Sequence, residues 1–446
     1  MYEYFIYSQL KKYAKADKSF HMPGHKARGD FKSKFGVAQL DVTELSYSDN
    51  LLCPTGVIAA AQKDIAEILG ADKSYILTDG SSSGILSMLY AVRKMGAKII
   101  VVRNSHQSVW NACKLFGLEP VIVQGEYKDG VMLPPDVSLI EKLVSNDKTI
   151  LGMLITSPDY YGNIAPLGGY SEVLKKYSRL LLVDGAHGAH LAFEPLKRGY
   201  AGVYADIWVD GVHKTLPAMT QGALLNVRGA KLVPLVEEAV KIFRTTSPGF
   251  PIMASVEYAV KYIKNNPKVL EEAKAAVETF KSKCPLGVYP SEDWTKLAVD
   301  FESIGVSSDD AAKMLEKKGI YAELSDGKYI LFYLSPMTNL SDMNGLLSAL
   351  GTVMASKKLK KAFVAKPVLP VLDRTYSFQY ALKQKHELVP LNQAVGRMCA
   401  GNAGIVPPCT PVIIIGEIIT EAAVKVLQSA KNTYGITGGK VLVVKK

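Results

Sequence analysis

The 446-residue sequence is poor in cysteine, has no long apolar run and contains no repeat or low-complexity segment. Its five cysteines are odd in number and widely spaced, with no CxxC pair, which excludes a disulfide-stapled fold and a zinc ribbon. No stretch approaches the roughly 18 apolar residues of a membrane-spanning helix. The N-terminal region lacks the charge order and cleavage site of a signal peptide. These absences predict a globular protein of a reducing compartment, the cytoplasm.

Positive charge is in excess but is not concentrated in one arm. Lysine and arginine number 53 against 42 aspartate and glutamate residues, a net charge of +11. The basic residues are scattered through helix-like segments such as 261–283, so a solvated basic surface explains them better than nucleic-acid binding. We therefore expect a small-molecule substrate and neither a nucleic acid nor a membrane as partner.

Short apolar runs alternate with helix-like segments between residues 55 and 230. The runs are continuous rather than alternating, which is typical of strands buried on both faces of a parallel sheet. They span residues 98–103, 120–124, 150–155, 180–183, 207–209 and 223–227. The pattern predicts an α/β sheet domain with mostly parallel strands.

The remaining segments predict the domain organisation. We expect an N-terminal helix and loop over 1–35, a large α/β domain over 36–250, a linking helix over 251–290 and a smaller α+β domain over 291–446. The linking segment is predicted as one long amphipathic helix over 251–283. Apolar runs at 297–301, 329–334 and 412–415 predict strands of the C-terminal domain.

Lys214 stands directly after His213 at the end of a predicted buried strand. A lysine flanked by apolar residues at a strand end is partly desolvated, which lowers its pKa and makes the neutral, nucleophilic amine accessible. That is the property a Schiff-base lysine needs. An ordinary loop lysine remains the alternative on this feature alone.

Asp184 closes another apolar run, in the sequence LLLVDGAHGAH. Open α/β sheets place ligands at such strand ends, and a carboxylate there could keep the ring nitrogen of pyridoxal phosphate protonated. At an effective dielectric constant near 20, a unit charge pair ~4 Å apart gains about 4 kcal/mol. The alternative is a metal site built from Asp184, His187 and His190, although their spacing is not a recognised ligand pattern.

The segment Thr78-Asp-Gly-Ser-Ser-Ser-Gly84 precedes a helical pattern. Backbone N–H groups, hydroxyls and the positive end of the helix dipole at Gly80, Ser81 and Ser82 predict a phosphate-binding cup. A plain serine helix cap is the alternative. The segment is not a P-loop, because no GxxxxGK[ST] pattern occurs.

Histidines occur at two further positions of interest. His106 follows a predicted strand and could stack on a cofactor ring, with an ordinary loop histidine as the alternative. His21 and His25 have the i,i+4 spacing of a helical metal pair, but Pro23 and Gly24 lie between them and argue against a helix. We therefore predict a structured loop there, and no metal site.

In chain order, the cup, the histidine, the strand-end aspartate and the strand-end lysine follow the order found in fold-type I pyridoxal-phosphate enzymes. The chain resembles the Orn/Lys/Arg decarboxylase family in its short form, which lacks an N-terminal receiver-like domain. The resemblance covers nearly the whole chain, and HKTLPA is its most specific block. Its motifs are HMPGHK (21–26), DVTEL (41–45), DNLLCPTGVI (49–58), DGSSSG (79–84), RNSHQS (103–108), SPDYYG (157–162), DGAHGAH (184–190), HKTLPAMTQG (213–222) and TTSP (245–248), followed more loosely by VPLNQAVGR (389–397) and VPPCTPVIIIGEIIT (406–420).

The resemblance implies a fold: an aspartate-aminotransferase-like, mostly parallel seven-stranded sheet domain with a smaller C-terminal α+β domain. It also implies roles. Lys214 would form the Schiff base with pyridoxal 5'-phosphate, Asp184 would pair with the ring nitrogen, and His106 would stack on the ring. The phosphate would be held by Gly80, Ser81, Ser82 and His213. His187 would lie near the ring's 3-hydroxyl, and Thr245 and Ser247 would reach a neighbouring subunit's phosphate.

The sequence departs from the family pattern at three places. Gly211 stands where the family often has a phosphate-binding serine, and Gly185 stands where it often has glutamate. The C-terminal loop reads Pro407-Pro-Cys-Thr-Pro411 instead of PPGIP. The first departure removes one phosphate contact, and the last leaves the substrate open because that loop lies near the substrate in relatives.

The implied activity is decarboxylation of arginine, lysine or ornithine to the amine and CO2, in polyamine biosynthesis or amino-acid catabolism. An aminotransferase, another lyase of the same fold, or a homologue that has lost catalysis are the alternatives. A cationic substrate needs a local acid, and Glu44, Asp49 and Glu417 are the candidates.

We also expect a homodimer or higher oligomer with shared active sites. The segments at 49–54 and 245–248 resemble segments that cross to a neighbouring subunit in the family. In addition, we expect four apolar residues to lie exposed in loops of a single subunit: Leu51, Leu52, Phe250 and Ile252.

Overall fold

The computed structural model describes residues 1–14, 19–195, 197–355 and 376–446. Its α-helices are α1 (Phe5–Tyr13), α2 (Gly29–Lys34), α3 (Val57–Leu69), α4 (Gly80–Val92), α5 (Gln107–Phe116), α6 (Val137–Asn146), α7 (Leu167–Lys176), α8 (Ala201–Tyr204), α9 (Val212–Thr215), α10 (Val233–Phe243), α11 (Phe250–Asn265), α12 (Lys268–Lys283), α13 (Ser308–Glu316), α14 (Leu340–Met354), α15 (Phe378–Lys383) and α16 (Glu421–Ser429). Short 3₁₀ turns span Ala38–Leu40, Arg93–Met95, Ala189–Phe193, Glu302–Ile304 and Leu391–Gln393.

The strands are β1 (Lys73–Leu77), β2 (Lys98–Val102), β3 (Glu119–Val123), β4 (Tyr127–Lys128), β5 (Val131–Met132), β6 (Ile150–Thr156), β7 (Leu180–Gly185), β8 (Ile207–Asp210), β9 (Ala223–Val227), β10 (Lys296–Asp300), β11 (Leu324–Ser325), β12 (Tyr329–Tyr333), β13 (His386–Pro390), β14 (Ala403–Ile405), β15 (Thr410–Ile413), β16 (Thr433–Tyr434), β17 (Ile436–Thr437) and β18 (Lys440–Val444). Seven of them form the main sheet. The helices and strands divide between two compact units, each discontinuous in sequence.

The first unit comprises Met1–Ala91, Leu182–Phe280 and Leu334–Met343. It contributes four strands of the main sheet, in the order β1-β9-β8-β7. Strands β7 and β8 are parallel, whereas β9 runs antiparallel to both of its neighbours. The carboxyl ends of β7 and β8 therefore lie side by side, where α/β sheets commonly bind ligands.

The second unit comprises Val92–Leu181, Lys281–Tyr333 and Asn344–Lys446. It contributes three parallel strands of the main sheet, in the order β6-β2-β3. Its C-terminal part adds three small antiparallel sheets, β10-β12-β11, β13-β18-β17 and β15-β14-β16. A cluster of buried side chains, including Leu391, Cys399, Ile413 and Val441, forms the core of this C-terminal part.

The strands predicted from the continuous apolar runs are confirmed. All residues of β8 and β9 and six of the seven residues of β6 are buried, as expected for strands covered on both faces. The sequence analysis missed β1, whose residues Lys-Ser-Tyr-Ile-Leu do not form a continuous apolar run. Its antiparallel pairing with β9 makes the main sheet mixed rather than purely parallel.

The prediction of one long helix over 251–283 is wrong. Two helices, α11 and α12, occupy this segment and are separated by Asn266 and Pro267. Proline lacks a backbone N–H and disfavours the helical conformation of the residue before it, so α11 ends at Asn265. The proposed domain boundaries stay a prediction.

No helix of the described ranges is long and apolar enough to cross a bilayer.

Candidate active site

Lys214 and His187 meet in the first unit, although 27 residues separate them. His187 lies just beyond the end of β7, and Lys214 lies in α9, the single helical turn that follows β8. The Lys214 Nζ atom is 3.2 Å from the His187 Nε2 atom. The parallel pairing of β7 and β8 accounts for this approach, because it brings both carboxyl ends to the same edge of the sheet.

Asp184 occupies the carboxyl end of β7, as predicted, and is 3% exposed. It lies opposite Val209 of β8 in the sheet register. Its Oδ1 atom accepts a hydrogen bond of 3.2 Å from the backbone N–H of Ala186. A buried carboxylate is costly unless it has charged or hydrogen-bonding partners, so this position suits a cationic group of a ligand.

The predicted cup forms the first turn of α4. Gly80 adopts a left-handed backbone conformation, with φ of +77°, and its N–H donates to the carbonyl of Gln221 at 3.0 Å. The buried Ser81 Oγ atom has no hydrogen-bond partner in the described structure. Ser83 donates to the carbonyl of Gly80 at 2.9 Å, while Ser82 is exposed. Ser81 is therefore the hydroxyl of this turn that is available to a ligand.

Gly211 approaches the cup so closely that no side chain fits. A Cβ atom there would lie 2.3 Å from the carbonyl oxygen of Ala186 and 3.0 Å from Ser81 Oγ. Glycine at this departure from the family pattern therefore permits the close approach of residue 211 to Ala186 and Ser81. Gly185, the second departure, is similarly confined, because its Cβ would lie 2.8 Å from the carbonyl oxygen of Val209.

These residues fit pyridoxal phosphate. The unpartnered Ser81 hydroxyl, at the N-terminus of a 13-residue helix, suits the phosphate group. Gly211 packs closely against Ala186 and Ser81, so a side chain at position 211 would crowd this hydroxyl. Asp184 would suit a protonated ring nitrogen, and Lys214 would provide an amine for the aldehyde of the cofactor.

His213 is held in one neutral tautomer. Its Nδ1 atom lies 2.9 Å from the Gly222 carbonyl oxygen, which can only accept, so Nδ1 carries the proton and Nε2 has the lone pair. Burial lowers the pKa of His213, the Gly222 hydrogen bond opposes this shift, and the charge of Lys214 adds to it. To donate to a phosphate, as the resemblance implies, Nε2 must first gain a proton.

Thr245 lies beside the cup of its own chain. Its backbone N–H is 3.3 Å from the Oδ2 atom of Asp79, the residue before Gly80. Ser247 is exposed, and its backbone N–H donates to Thr245 Oγ1 at 3.1 Å. Their reach toward a neighbouring subunit stays a prediction.

His106 belongs to the second unit, where it caps the N-terminus of α5. Its Nδ1 atom accepts from the backbone N–H of Ser108 at 3.2 Å, so in the neutral ring the proton is on Nε2. His106 therefore has the opposite tautomer to His213.

The other histidines do not assemble a metal centre in the described part of the chain. Asp184, His187 and His190 form no cluster with metal-binding geometry among the described residues. His25 Nε2 lies 3.2 Å from Asp41 Oδ2, and His21 Nδ1 lies 2.5 Å from the Met22 carbonyl oxygen. Residues 21–27 form turns rather than a helix, as the intervening proline and glycine predicted.

Two of the three candidate substrate acids are occupied by other protein groups. Burial opposes ionisation of Asp49, but backbone N–H donors of Thr55, Asn50, Gly56 and Ile58 outweigh it and lower its pKa. Asp49 thus caps the N-terminus of α3. Glu417 is buried in an ion pair with Arg103.

Glu44 is partly buried and accepts a hydrogen bond of 2.6 Å from Thr43 Oγ1. It stays a proposed substrate contact.

Glu323, an acid not singled out from the sequence, lies in the second unit beside Tyr160. The Tyr160 hydroxyl donates to Glu323 Oε1 at 2.9 Å, and the Tyr333 hydroxyl donates to the Tyr160 carbonyl at 3.2 Å. Burial, followed by the charges of Glu323 and Cys409, raises the pKa of Tyr160 well above its usual range. The Cys409 carbonyl in turn accepts the N–H of Gln107, beside His106. The SPDYYG motif contains Tyr160, but nothing in the sequence indicated that Glu323 lies beside it.

Comparisons with known proteins identify the family. Residues 5–284 match the model of the Orn/Lys/Arg decarboxylase major domain, and residues 356–434 match that of the C-terminal domain. The chain belongs to the Orn/Lys/Arg decarboxylase family. It is 31% identical to the arginine decarboxylase of Bacillus subtilis (strain 168) over 450 residues, which cover 93% of this chain and 91% of that protein. It is 23% identical to the constitutive lysine decarboxylase of Escherichia coli (strain K12), over 87% of this chain and 69% of that protein.

Solved structures of decarboxylases share the fold. The Francisella novicida lysine decarboxylase superposes with a TM-score of 0.85 at 19% identity, over 99% of this chain and 81% of that chain. A structure of SPT with pyridoxal phosphate superposes with a TM-score of 0.54, over 66% of this chain and 75% of that chain. The fold is that of the fold-type I pyridoxal-phosphate enzymes, with a smaller C-terminal domain, as predicted.

Membership of the Orn/Lys/Arg decarboxylase family assigns the class of reaction. The chain is an amino-acid decarboxylase that uses pyridoxal phosphate and acts on a basic amino acid. The alternative of an aminotransferase is not favoured by the decarboxylase relatives.

Proposed function

We propose that this chain decarboxylates arginine, with Lys214, Asp184 and Ser81 as the residues that hold pyridoxal phosphate. The observation that carries the proposal is the convergence of these residues at the carboxyl ends of β7 and β8 and the first turn of α4. Gly211 links the two places, since it lies against both Ala186 and Ser81. A side chain at position 211 would crowd the Ser81 hydroxyl, which has no hydrogen-bond partner in the described structure.

Pyridoxal phosphate, when bound, supplies an electron sink for the carbanion left by the departing CO2. Lys214 provides the amine that attaches the cofactor, and His187 Nε2, 3.2 Å from Nζ, can take and return a proton from that amine. The buried Asp184 carboxylate would keep the ring nitrogen of the bound cofactor protonated. The Ser81 hydroxyl would donate to its phosphate. His106 is assigned to the ring face on the family resemblance alone.

The relatives favour arginine over lysine and ornithine. Two proteins that are 31% identical to this chain are named arginine decarboxylase. The constitutive lysine decarboxylase of Escherichia coli (strain K12) is 23% identical.

Chemical trapping and product analysis test the proposed function itself. Borohydride reduction of the protein loaded with pyridoxal phosphate should fix the cofactor on the peptide that contains Lys214. Release of CO2 is then measured with arginine, lysine and ornithine. Labelling of another lysine contradicts the assignment of Lys214, and cofactor binding without turnover of any amino acid identifies a homologue that has lost catalysis.

We further propose that the working unit is a homodimer. The four apolar residues expected to lie exposed in loops do not form an exposed surface: Leu51 and Phe250 are completely buried within one chain, and Leu52 and Ile252 are partly buried. Support comes instead from the segment 20–37, which exposes Phe20, Met22, Phe31, Phe35 and Val37. An apolar surface of this kind is typical of a subunit interface.

A cytoplasmic location is part of the same proposal. None of the five cysteines, all within the described residues, forms a disulfide. This agrees with the reducing compartment expected from their number and spacing.

A further inference from the structure

A buried ion pair joins two segments of the second unit that are 314 residues apart in the sequence. Arg103 directly follows β2 and is 4% exposed, and Glu417 lies beyond β15 and is 1% exposed. The Arg103 Nη2 atom is 3.0 Å from Glu417 Oε2, and Nη1 contacts Oε1, so the pairing is bidentate. Charges this deeply buried persist only where geometry and further hydrogen bonds are favourable.

Further hydrogen bonds fix both partners of the pair. Glu417 Oε2 accepts the backbone N–H of Ile414 at 2.8 Å, and Arg103 Nη2 donates to the Val412 carbonyl at 3.1 Å. The backbone N–H of Arg103 donates to the Val123 carbonyl of β3 at 2.8 Å. The pair therefore joins the end of β2 to the segment 412–417.

The same C-terminal segment also holds the other end of the loop that begins at Arg103. The backbone N–H of Gln107, the residue after His106, donates to the Cys409 carbonyl at 2.8 Å. Between these two attachments, the Ser105 carbonyl accepts from Trp110 Nε1 at 3.0 Å. His106 is thus flanked on both sides by residues that the C-terminal segment 409–417 holds in place.

We propose that Arg103 and Glu417 are positioning residues, through which the C-terminal segment 409–417 sets the orientation of His106 within the second unit. The proposal rests on the proposed function, in which His106 is assigned to pyridoxal phosphate on the family resemblance. It replaces the earlier expectation that Glu417 contacts the substrate, because both of its carboxylate oxygens are engaged by Arg103. A bidentate pair sets direction as well as distance, which a hydrophobic contact of similar volume does not.

A double-mutant cycle between Glu417 and His106 tests this proposal. Affinity for pyridoxal phosphate and visible circular dichroism of the bound cofactor are measured for wild type, Glu417→Gln, His106→Ala and the combined variant. We expect a loss of affinity of at least tenfold in each single variant and a weaker dichroic band. We expect almost no additional loss from Glu417→Gln in the His106→Ala background, because interacting residues are non-additive.

Stability is separated from positioning by removing both charges together. Replacement of a whole buried pair by apolar residues is tolerated far better than removal of one partner, so Arg103→Met with Glu417→Met is expected to fold. Its thermal midpoint should approach that of wild type, while the loss of affinity and of the dichroic band persists. Glu257→Gln is the matched control, since Glu257 forms a buried pair with Lys261 that holds α1; it should lower the thermal midpoint and leave the dichroic band unchanged.

Two results overturn the inference and identify which part failed. If the effects of Glu417→Gln and His106→Ala add fully, or if the double methionine variant has the affinity and dichroism of wild type, the pair stabilises the fold and does not position His106. If His106→Ala leaves affinity and dichroism unchanged, the assignment of His106 in the proposed function has failed. Borohydride labelling of Lys214 in the same preparations establishes independently whether the remaining cofactor assignment holds.

Discussion

The buried acids of this protein differ in their partners, and these partners decide what each acid can do. Asp184 receives a single hydrogen bond, from the Ala186 N–H, among its recorded contacts. Asp210, at the end of the neighbouring strand, receives three through its Oδ2 atom: from Tyr200 at 3.0 Å, Trp208 at 3.1 Å and Asn226 at 2.8 Å. We therefore expect Asp184 to be available to pair with a bound ligand, whereas Asp210 is already engaged in hydrogen bonds within the protein.

Replacement of Asp184 by asparagine should separate cofactor binding from catalysis. The amide has nearly the same size but cannot pair ionically with a protonated ring nitrogen. Loss of ~3 kcal/mol of transition-state stabilisation corresponds to a rate about a hundredfold lower. We expect Asp184→Asn to retain the visible band of bound cofactor while kcat falls by at least that factor in a CO2-release assay. Near-normal turnover would show that Asp184 does not hold the ring.

Asp210 should make stability depend on pH. Burial raises the pKa of Asp210 from 3.8 to about 7, although the hydrogen bonds from Tyr200, Trp208 and Asn226 oppose this shift. Between these values the folded state binds more protons than the unfolded state, so the free energy of unfolding falls as pH rises. The loss from this group between about pH 4 and 7 is on the order of 3 kcal/mol.

Asparagine at position 210 removes that titration and keeps an oxygen for the three donors. We expect the stability of Asp210→Asn relative to that of wild type to be higher at pH 8 than at pH 4.5. The relative stability is measured as the difference between their urea unfolding midpoints. The comparison cancels the other titrating groups, including Asp159, whose pKa burial raises to about 6. A difference that does not change with pH would refute the assignment.

At the scale of secondary-structure elements, the site depends on a close approach between a strand end and a helix start. Gly211 connects β8 to α9 and lies against Ala186, just beyond β7, and against the first turn of α4. The nearest atom to a Cβ at position 211 would be the Ala186 carbonyl oxygen. A backbone atom cannot move aside as easily as the end of a flexible side chain can. The absence of a side chain at position 211 therefore sets the distance between the lysine turn and the phosphate cup.

Gly211→Ala should disturb both packing and cofactor affinity. The new Cβ would lie 2.3 Å from the Ala186 carbonyl oxygen, and overpacking of this kind typically costs about 1–3 kcal/mol. We expect a lower thermal midpoint and at least a tenfold loss of affinity for pyridoxal phosphate. Gly345→Ala on α14, where a Cβ meets nothing within 4 Å, is the control and should be neutral or slightly stabilising. Wild-type affinity in Gly211→Ala would show that the close approach is not required.

At the scale of the whole molecule, the segment 20–37 stands out because it exposes apolar side chains in a chain that buries most others. Phe20 is 94% exposed, Met22 65% and Phe35 54%. Phe31 stacks on both His25 and Phe35, with ring centroids 4.5 Å and 4.4 Å apart. A second copy of the chain is the occupant that we propose for this surface.

Charges introduced on this surface should dissociate the dimer. Phe20→Asp combined with Phe35→Asp is expected to shift the sedimentation coefficient from that of a dimer to that of a monomer and to reduce activity. In mixtures, chains with Lys214→Ala and chains with Ser247→Ala should recover part of the activity if each site uses both subunits. A wild-type protein that sediments as an active monomer would contradict the proposal, and failure of the mixtures to recover activity would contradict shared sites alone.

Much of the fold and the core of the candidate site could be predicted from local sequence. A strand buried on both faces must be apolar throughout, so β2, β6, β7, β8 and β9 were recognisable from continuous runs. Asp184 was recognisable because it directly follows such a run, and Lys214 because it lies five residues after the end of another. The break at Pro267 was also present in the sequence and was missed, since the amphipathic pattern continues across the proline.

Other features depend on contacts between distant segments. Three acidic residues have similar surroundings in the sequence, near Gly, Pro or aromatic residues, but different partners in the structure. Asp49 caps a helix, Glu323 accepts a hydrogen bond from Tyr160, and Glu417 pairs with Arg103. The sequence determined which strands are buried and which polar residues end them, because both follow from neighbouring residues. Only the tertiary structure decided the partner of each acid and the close approach of Gly211 to Ser81. Hydrogen bonds and steric contacts depend on atoms that the fold brings within a few ångströms, from segments up to 314 residues apart.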